Sequence, residues 1–177
     1  MKRFFTLTLM LFCFILHNFA FDYTDENGVT WTCSAYDESF AKLTGASNYG
    51  EEVVVPEKVY DGETAYTVKY LNDTFKDSEV ITKVTLPKHA TEIYDAFCNC
   101  HNLTEVINSQ YITKCISRAF ESTSLISIDL SNCEYVGGFI NNKKLRTVIL
   151  KACKIIDREA FSNCPNLVSV GETASVT

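Results

Sequence analysis

The stretch that decides the fold is Leu125–Cys133, which reads LISIDLSNC. It recurs 20 residues later as Leu145–Cys153, which reads LRTVILKAC. In both copies the apolar residues at the first, fourth and sixth positions predict a short strand with one buried face. Cys133 and Cys153 close the two copies at the same position, and we expect them to form a structural ladder.

The same phrase extends in both directions along the chain, at intervals of about 22 residues. Its first position is filled by Ile81, Leu103, Leu125, Leu145 and Leu167. Its fourth position is filled by Val84, Val106, Ile128, Val148 and Val170. The next column holds Leu86, Leu130 and Leu150, but Asn108 interrupts it. A single unit of this kind cannot bury its apolar face, so the repeats must stack into a solenoid.

A second column lies on the far side of each repeat and consists of Phe75, Phe97, Phe120, Phe139 and Phe161. Alanine precedes three of these phenylalanines, and Cys100 and Cys164 follow two of them by three residues. We interpret each such segment as a helical turn whose phenylalanine fills the wall opposite the strand. Parallel strands of successive coils would then pair at about 4.8 Å.

The segments 81–100 (ITKVTLPKHATEIYDAFCNC) and 158–164 (REAFSNC) resemble the BspA-type leucine-rich repeat, and the resemblance covers about residues 53–170. It implies a secreted or surface-exposed protein of a bacterium or a parasitic protist, with a role in adhesion or protein binding. It names no ligand. The fold expected is a β-rich leucine-rich-repeat solenoid of about five coils, with short parallel strands, helical turns and an N-terminal β-hairpin cap.

Three regions follow from these patterns. Residues 1–20 open with two cationic residues and a run of apolar ones, which is typical of a secretory signal peptide with cleavage after Ala20. An uncleaved membrane anchor is the alternative. We expect residues 21–52 to form the N-terminal β cap and residues 53–177 to form the solenoid, with no membrane span after removal of the signal.

Composition limits the classes of partner. The net charge of −6 argues against nucleic-acid binding, which normally requires a basic face. Export to an oxidising compartment would permit disulfides among the seven cysteines that follow residue 20, but an odd number leaves at least one thiol unpaired. A disulfide between Cys133 and Cys153 competes with their role in the ladder.

The sequence offers little chemistry. Cys98, Cys100 and His101 are the one local candidate for a zinc or redox site, but C-x-C-H lacks a second ligand pair, which favours a structural role. His89 and His101 are the histidines that follow residue 20, and we expect His89 to be structural. Motifs of hydrolases, metalloproteases and nucleotide-binding enzymes are missing from the sequence, so we expect no enzyme and no cofactor.

Two tripeptides match the N-glycosylation acceptor, one at Asn72 and one at Asn102. We expect both on turns that flank the phenylalanine column, where a glycan would cover that side and leave the strand face open. Chance occurrence in a chain rich in threonine and asparagine is the alternative.

The outward positions of the strands define a candidate partner-binding face. Its residues are Lys83, Thr85, Glu105, Ile107, Ser127, Asp129, Thr147 and Ile149. Two isoleucines on a polar surface suit a modest contact site, and the charged residues would set the charge preference of the rim. An ordinary solvated sheet face is the alternative.

The sequence therefore predicts a secreted or cell-surface binding module without catalytic activity. Its partner would be a protein or glycan, such as a component of a host extracellular matrix or cell surface. The alternative is a structural repeat protein that self-associates through an uncapped C-terminal end, or a truncated member of a larger surface protein family.

Overall fold

The computed structural model describes residues 19–171. Most of the predicted signal peptide therefore lies outside the described residues, and Ala20 is the first residue of the first strand. Within residues 19–171, no helix is long and apolar enough to cross a membrane.

The N-terminal region forms three antiparallel strands, β1 (Ala20–Thr24), β2 (Thr30–Ala35) and β3 (Phe40–Ser47). Asp25 closes the first turn, because one of its carboxylate oxygens accepts the Asn27 amide and the other accepts the indole N–H of Trp31. The expected two-stranded hairpin cap is thus not what is found. A third strand joins it, and β3 pairs in parallel with the solenoid, so the region extends a solenoid sheet.

Apart from β6, which has nine residues, every later strand is short. A hairpin of two strands precedes the regular coils, and each coil then contributes one strand to each of two walls. In chain order the strands are β4 (Glu52–Val54), β5 (Lys58–Asp61), β6 (Thr64–Asn72), β7 (Lys83–Thr85), β8 (Glu92–Tyr94), β9 (Glu105–Ile107), β10 (Lys114–Ile116), β11 (Ser127–Asp129), β12 (Tyr135–Val136), β13 (Thr147–Ile149), β14 (Ile155–Ile156) and β15 (Ser169–Gly171).

These strands form three sheets and make the chain a β-solenoid of about five turns. Sheet A has the order β1-β2-β3-β6-β8-β10-β12-β14, with β5 added beside β6. Sheet B is β4-β7-β9 and sheet C is β11-β13-β15. Strands of successive coils pair in parallel within each sheet, as expected when each coil repeats the path of the one before.

Asn108 separates sheet B from sheet C. It has a left-handed backbone (φ 67°), and its side-chain amide donates to the carbonyl oxygen of Leu86 at 2.8 Å. A short 3-10 helix, Ser109–Tyr111, follows directly, and β9 forms no ladder with β11. The residue that interrupts the leucine column in the sequence therefore also interrupts the strand wall.

The aliphatic column predicted from the sequence is confirmed at its centre. Ile81, Leu103, Leu125 and Leu145 are fully buried and belong to one apolar core. The neighbouring column is buried at Val84, Ile128 and Val148, whereas Val106 is half-buried and Val170 is exposed. Burial therefore weakens where sheet B ends and in the last coil.

The five phenylalanines form one continuous stack. Successive ring centroids lie 5.5, 5.1, 5.2 and 5.6 Å apart, and neighbouring ring planes differ by 9–24°. Trp31 and Tyr49 meet the first ring, Phe75, edge to face at 5.9 and 5.4 Å. The N-terminal strands thus close one end of the aromatic column.

The expected helical turns at the phenylalanines are not borne out, because left-handed residues bracket the rings. Asp73 and Asp77 flank Phe75, and Asp95 and Asn99 flank Phe97. A right-handed helix cannot pass through these positions, so each segment is a pair of tight turns. Aspartate and asparagine tolerate the left-handed region better than most residues, which explains their recurrence.

An inward polar ladder follows the rings three residues later, at Ser78, Cys100, Thr123, Asn142 and Cys164. Three of its members donate to the carbonyl of the phenylalanine one coil earlier. The Cys100 thiol reaches Phe75 O at 2.9 Å, the Asn142 amide reaches Phe120 O at 2.7 Å, and the Cys164 thiol reaches Phe139 O at 2.9 Å. The ladder satisfies backbone groups that the turns leave without a partner.

Candidate binding faces

The eight residues of the predicted partner-binding face lie on two ladders. On sheet B, Lys83 pairs with Glu105 and Thr85 pairs with Ile107. On sheet C, Ser127 pairs with Thr147 and Asp129 pairs with Ile149. All eight are half-buried or exposed. The structure thus assembles them as two separate patches, since Asn108 breaks the ladder between them.

The charges on these two patches are largely engaged within the chain. The ammonium of Lys83 lies 3.7 Å from a carboxylate oxygen of Glu52 and 3.7 Å from one of Glu105. The Asp129 carboxylate accepts the amide and the hydroxyl of Ser131, so it stabilises the turn after its own strand. Exposed ion pairs of this kind contribute little to stability. Glu105 is the more accessible of the two acidic residues.

Sheet A presents a longer outward row that the sequence did not predict. Its members stand opposite one another in adjacent strands and are Lys42, Tyr70, Glu92, Lys114, Tyr135 and Ile155. The strands from β8 onward have only two or three residues, with at most one fully buried side chain each. Such segments carry too little alternation to be recognised as strands.

Part of this row forms a cleft of about 360 Å³, which we call the aromatic cleft. Its lining residues are Tyr36, Lys42, Tyr70, Asn72, Glu92, Tyr94 and Lys114. The rings of Tyr36 and Tyr70 pack with centroids 4.4 Å apart, and Tyr36 remains 52% exposed. Lys69, at the edge, places its ammonium 4.9 Å from the ring of Phe40 and 5.2 Å from that of Tyr70.

Glu92 organises the polar side of the aromatic cleft. One of its carboxylate oxygens accepts the hydroxyl of Tyr94 at 2.9 Å, and the other lies 3.3 Å from the Lys114 ammonium. Burial and the hydrogen bond to Glu92 raise the pKa of Tyr94 to about 12. Burial also raises the pKa of Tyr70, although neighbouring Lys69 opposes that shift. Both phenols are therefore protonated at neutral pH.

The structure does not assemble the candidate zinc or redox site. Cys98 and Cys100 are buried and His101 is exposed, with its Nδ1 2.8 Å from the carbonyl oxygen of Ser122. Burial raises the pKa of both thiols, to about 12 for Cys100. Residues 19–171 contain no cluster of three or more metal-ligating side chains. His89 is exposed, so the structure gives no support to the structural role expected of it.

All seven cysteines of the described region are free thiols, and Cys133 and Cys153 form no disulfide. The Cys133 thiol donates to the carbonyl of Tyr135 at 3.0 Å, and the Cys153 thiol donates to that of Ile155 at 3.4 Å. Cys133 is buried and Cys153 is half-buried. Both thiols thus bond to the backbone just after their strand.

The two glycosylation acceptors have different surroundings, and the expectation that both lie on turns is wrong for Asn72, which is the last residue of β6, whereas Asn102 lies on a turn. Asn72 lines the aromatic cleft and donates to the Asp73 carboxylate, while the hydroxyl of Thr74 is buried against the carbonyl of Leu43. Asn102 is exposed, and its amide donates to the carbonyl of Glu79 at 2.7 Å. Asn102 is the more accessible acceptor.

The last coil exposes several large aliphatic side chains, namely Ile155, Ile156, Val168 and Val170. Within residues 19–171, β14 and β15 form the outer edges of sheets A and C. Exposed apolar side chains therefore lie beside strand edges that pair with no other strand among the described residues.

Comparison with known proteins places these features in a family. The family model described as BspA type leucine rich repeat region matches residues 69–177 in six copies. Comparison with curated protein sequences finds no match.

Among solved structures, the chain resembles a leucine rich cell surface protein of Faecalibacterium prausnitzii, with a TM-score of 0.55, 21% identity, and coverage of 85% of this chain and 54% of that one. It resembles a leucine-rich repeat protein of Bacteroides ovatus with a TM-score of 0.53, 16% identity, and coverage of 85% and 46%. One of Bacteroides capillosus gives a TM-score of 0.49, 18% identity, and coverage of 82% and 94%. The chain spans about half the length of the first two, and at these identities the likeness concerns the fold.

Proposed function

The chain belongs to the BspA type leucine rich repeat family, and from this premise we propose that it is a binding module that acts outside the cell, on a protein or glycan partner and without catalysis. The observation that carries the proposal is the solenoid itself. Its interior is a continuous apolar core, and its outer walls carry rows of polar and aromatic side chains in fixed register.

Such a scaffold suits recognition because the outward side chains need little ordering when a partner binds. Strands β7, β8, β10, β12 and β13 are paired on both sides, β9 and β11 are paired on one side, and buried side chains from several coils hold them in place. Pre-organised surfaces lose less conformational entropy on association, which favours affinity at a given contact area. Repeat proteins use extended surfaces of this kind for binding.

Action at the cell surface or in secreted form is supported by two observations. Residues 1–20 have the composition of a secretory signal peptide. One similar structure is titled a leucine rich cell surface protein. Burial and raised pKa values would also make Cys98 and Cys100 resist oxidation outside the cell, because the thiolate is the reactive form.

The absence of catalysis is proposed on the arrangement of the reactive groups. Cys98 and Cys100 are buried, whereas His101 is exposed beside the carbonyl of Ser122, so the three side chains do not share one site. The raised pKa values of the two thiols also oppose their use as nucleophiles. In the aromatic cleft, Glu92 is engaged by the Tyr94 hydroxyl and the Lys114 ammonium. This arrangement suits recognition better than proton transfer.

The proposal is tested with immobilised extracellular-matrix and cell-surface extracts. We expect the purified protein to bind saturably, and we expect charge reversal at both Glu105 and Asp129 to weaken binding if sheets B and C carry the contact. Thermal stability should be unchanged by reversal at Glu105, whose side chain is exposed, and should fall on reversal at Asp129, which loses its bonds to Ser131, so binding is compared at a temperature where both variants are folded. Unchanged affinity would remove sheets B and C from consideration, and the lack of any saturable binding would refute the function.

Self-assembly is a second candidate, favoured by the exposed aliphatic side chains of the last coil. A second copy that added its strands to β14 or β15 would cover these side chains and satisfy the open edges. Sedimentation velocity at several concentrations separates the two functions. A structural protein must sediment faster as concentration rises, whereas a monomeric binding module keeps one sedimentation coefficient.

A further inference from the structure

The aromatic cleft offers an apolar platform within a polar surface. Tyr36 and Tyr70 pack against each other, and Tyr36 presents a ring that is more than half exposed. A tyrosine ring combines an apolar face with a polar hydroxyl, so it suits ligands that have both kinds of surface. The face of a pyranose ring that carries axial C–H groups is such a surface.

Hydrogen-bonding groups surround this platform. Asn72 supplies an amide, Glu92 supplies a carboxylate, and Tyr94 supplies a phenol that stays protonated at neutral pH. Glu92 holds Tyr94 and Lys114 in place from opposite oxygens. A few fixed polar groups around an aromatic surface are the usual composition of a small-ligand site.

The charge of the aromatic cleft is opposite to that of the chain. Two lysines and one glutamate line it, whereas the whole chain carries a net charge of −6. Glu92 already pairs with Lys114. Among residues 19–171, no carboxylate oxygen lies within 4.0 Å of the Lys42 ammonium, and Lys69 adds a further cation at the edge. The cleft therefore attracts an anionic group at Lys42.

The size of the cleft distinguishes between classes of ligand. A volume of about 360 Å³ lies at the lower end of the range for small-molecule sites, about 300–1,000 Å³. A globular protein partner needs about 800 Å² of contact on each side, which seven lining residues do not supply. The geometry fits one or two sugar residues.

We propose that the aromatic cleft binds an acidic pyranose, a six-membered sugar ring that carries a carboxylate, as a terminal unit of a glycan. The inference rests on the proposed binding function and gives that function a ligand class. The sugar ring packs on Tyr36, its carboxylate pairs with Lys42, and its hydroxyls bond to Asn72 and Glu92.

The test uses saturation-transfer NMR and calorimetric titration of the full chain with sialyllactose and with a disaccharide that ends in glucuronic acid. Lactose serves as the uncharged probe. We expect both acidic probes to bind and lactose to bind several-fold more weakly, because it lacks the partner for Lys42.

Two variants assign the contacts. Y36A should weaken binding of the acidic probes about tenfold through loss of the ring surface. K42Q should reduce the acidic probes to the affinity of lactose and leave lactose unchanged. Y60A is the matched control, because Tyr60 is also an exposed tyrosine of sheet A but lies outside the cleft, and it should bind like the wild type.

Three results would overturn the assignment. They are no saturation transfer to either acidic probe at millimolar concentration, equal affinity for lactose, and unchanged affinity in Y36A. The assignment would also be overturned if the protein bound an acidic peptide and neither acidic sugar probe. If the protein binds matrix or cell-surface extracts while Y36A and K42Q bind them equally well, the ligand class fails and the proposed function survives.

Discussion

Removal of one ring from the middle of the aromatic column should destabilise the protein more than removal of the last ring. Phe97 is fully buried and stacks on Phe75 at 5.5 Å and on Phe120 at 5.1 Å. Truncation of a buried phenylalanine to alanine costs about 3–5 kcal/mol. F97A should fall in the upper half of that range because it breaks two ring contacts.

Phe161 supplies the matched comparison. It is half-buried and stacks on one ring, Phe139, at 5.6 Å, so F161A should cost about 2 kcal/mol. F97L keeps most of the buried apolar volume and loses the stacking, so it should cost about 1–2 kcal/mol. A loss of stability that decreases in the order F97A, F161A, F97L would support a column of packed, stacked rings.

The assay is urea denaturation followed by circular dichroism and by the fluorescence of Trp31, the single tryptophan of the chain. Trp31 is buried against Phe75, so its fluorescence reports on the N-terminal end, whereas circular dichroism reports on the whole solenoid. The reasoning is refuted if F97A costs less than about 1 kcal/mol or no more than F161A.

Three further perturbations probe the ladders and turns. N142A should lower the free energy of unfolding in urea by about 3 kcal/mol, because the buried Asn142 amide bonds to two phenylalanine carbonyls and to Thr123. The control N166A loses one exposed hydrogen bond and should lower it by less than about 1 kcal/mol. Equal losses would contradict the ladder. G138A should destabilise the protein by more than about 2 kcal/mol, since φ of Gly138 is +79° and the new Cβ would meet Ser117 O and lie 2.5 Å from Ala119 N. The control G50A should leave stability unchanged, because a Cβ at Gly50 meets no other atom within 4 Å. A G138A variant as stable as the wild type would contradict the turn geometry. The free energy of unfolding should fall as pH rises from about 9 to about 12, because burial raises the Cys100 pKa to about 12 and the thiol of the unfolded chain loses its proton first. This fall should be shallower in C100A. An identical dependence on pH in C100A and the wild type would contradict the role of Cys100.

The repeat and its buried columns could be predicted from sequence because they depend on side-chain spacing alone. The fully buried Leu103, Leu125 and Leu145 lie where the interval of about 22 residues placed them. The phenylalanines could be placed for the same reason. The conformation of their segments could not be predicted, and the helical turns expected there are wrong. Short turns are decided by the backbone at residues such as Asp95 and Asn99, whose left-handed geometry leaves no periodic signal.

The candidate site was harder to foresee. The eight outward residues lie on strands as predicted, but one residue, Asn108, determines that they form two patches. The aromatic cleft combines Tyr36, from the loop between β2 and β3, with Tyr70 and Tyr94 from later strands. Proximity between residues so far apart in sequence depends on the parallel pairing of β3 with β6, which no local pattern encodes.

Hydroxyl-radical footprinting read by mass spectrometry tests most directly whether the coils stack around continuous buried columns. Leu125 is fully buried, whereas its neighbour Ile126 is 56% exposed. Leu103 and Leu145 are buried like Leu125, and Val168 is 83% exposed. Stacked coils predict that Ile126 and Val168 are oxidised in the native protein while the three leucines are protected. Comparable oxidation of Leu125 and Ile126 would contradict the solenoid and, with it, the binding faces that its walls present.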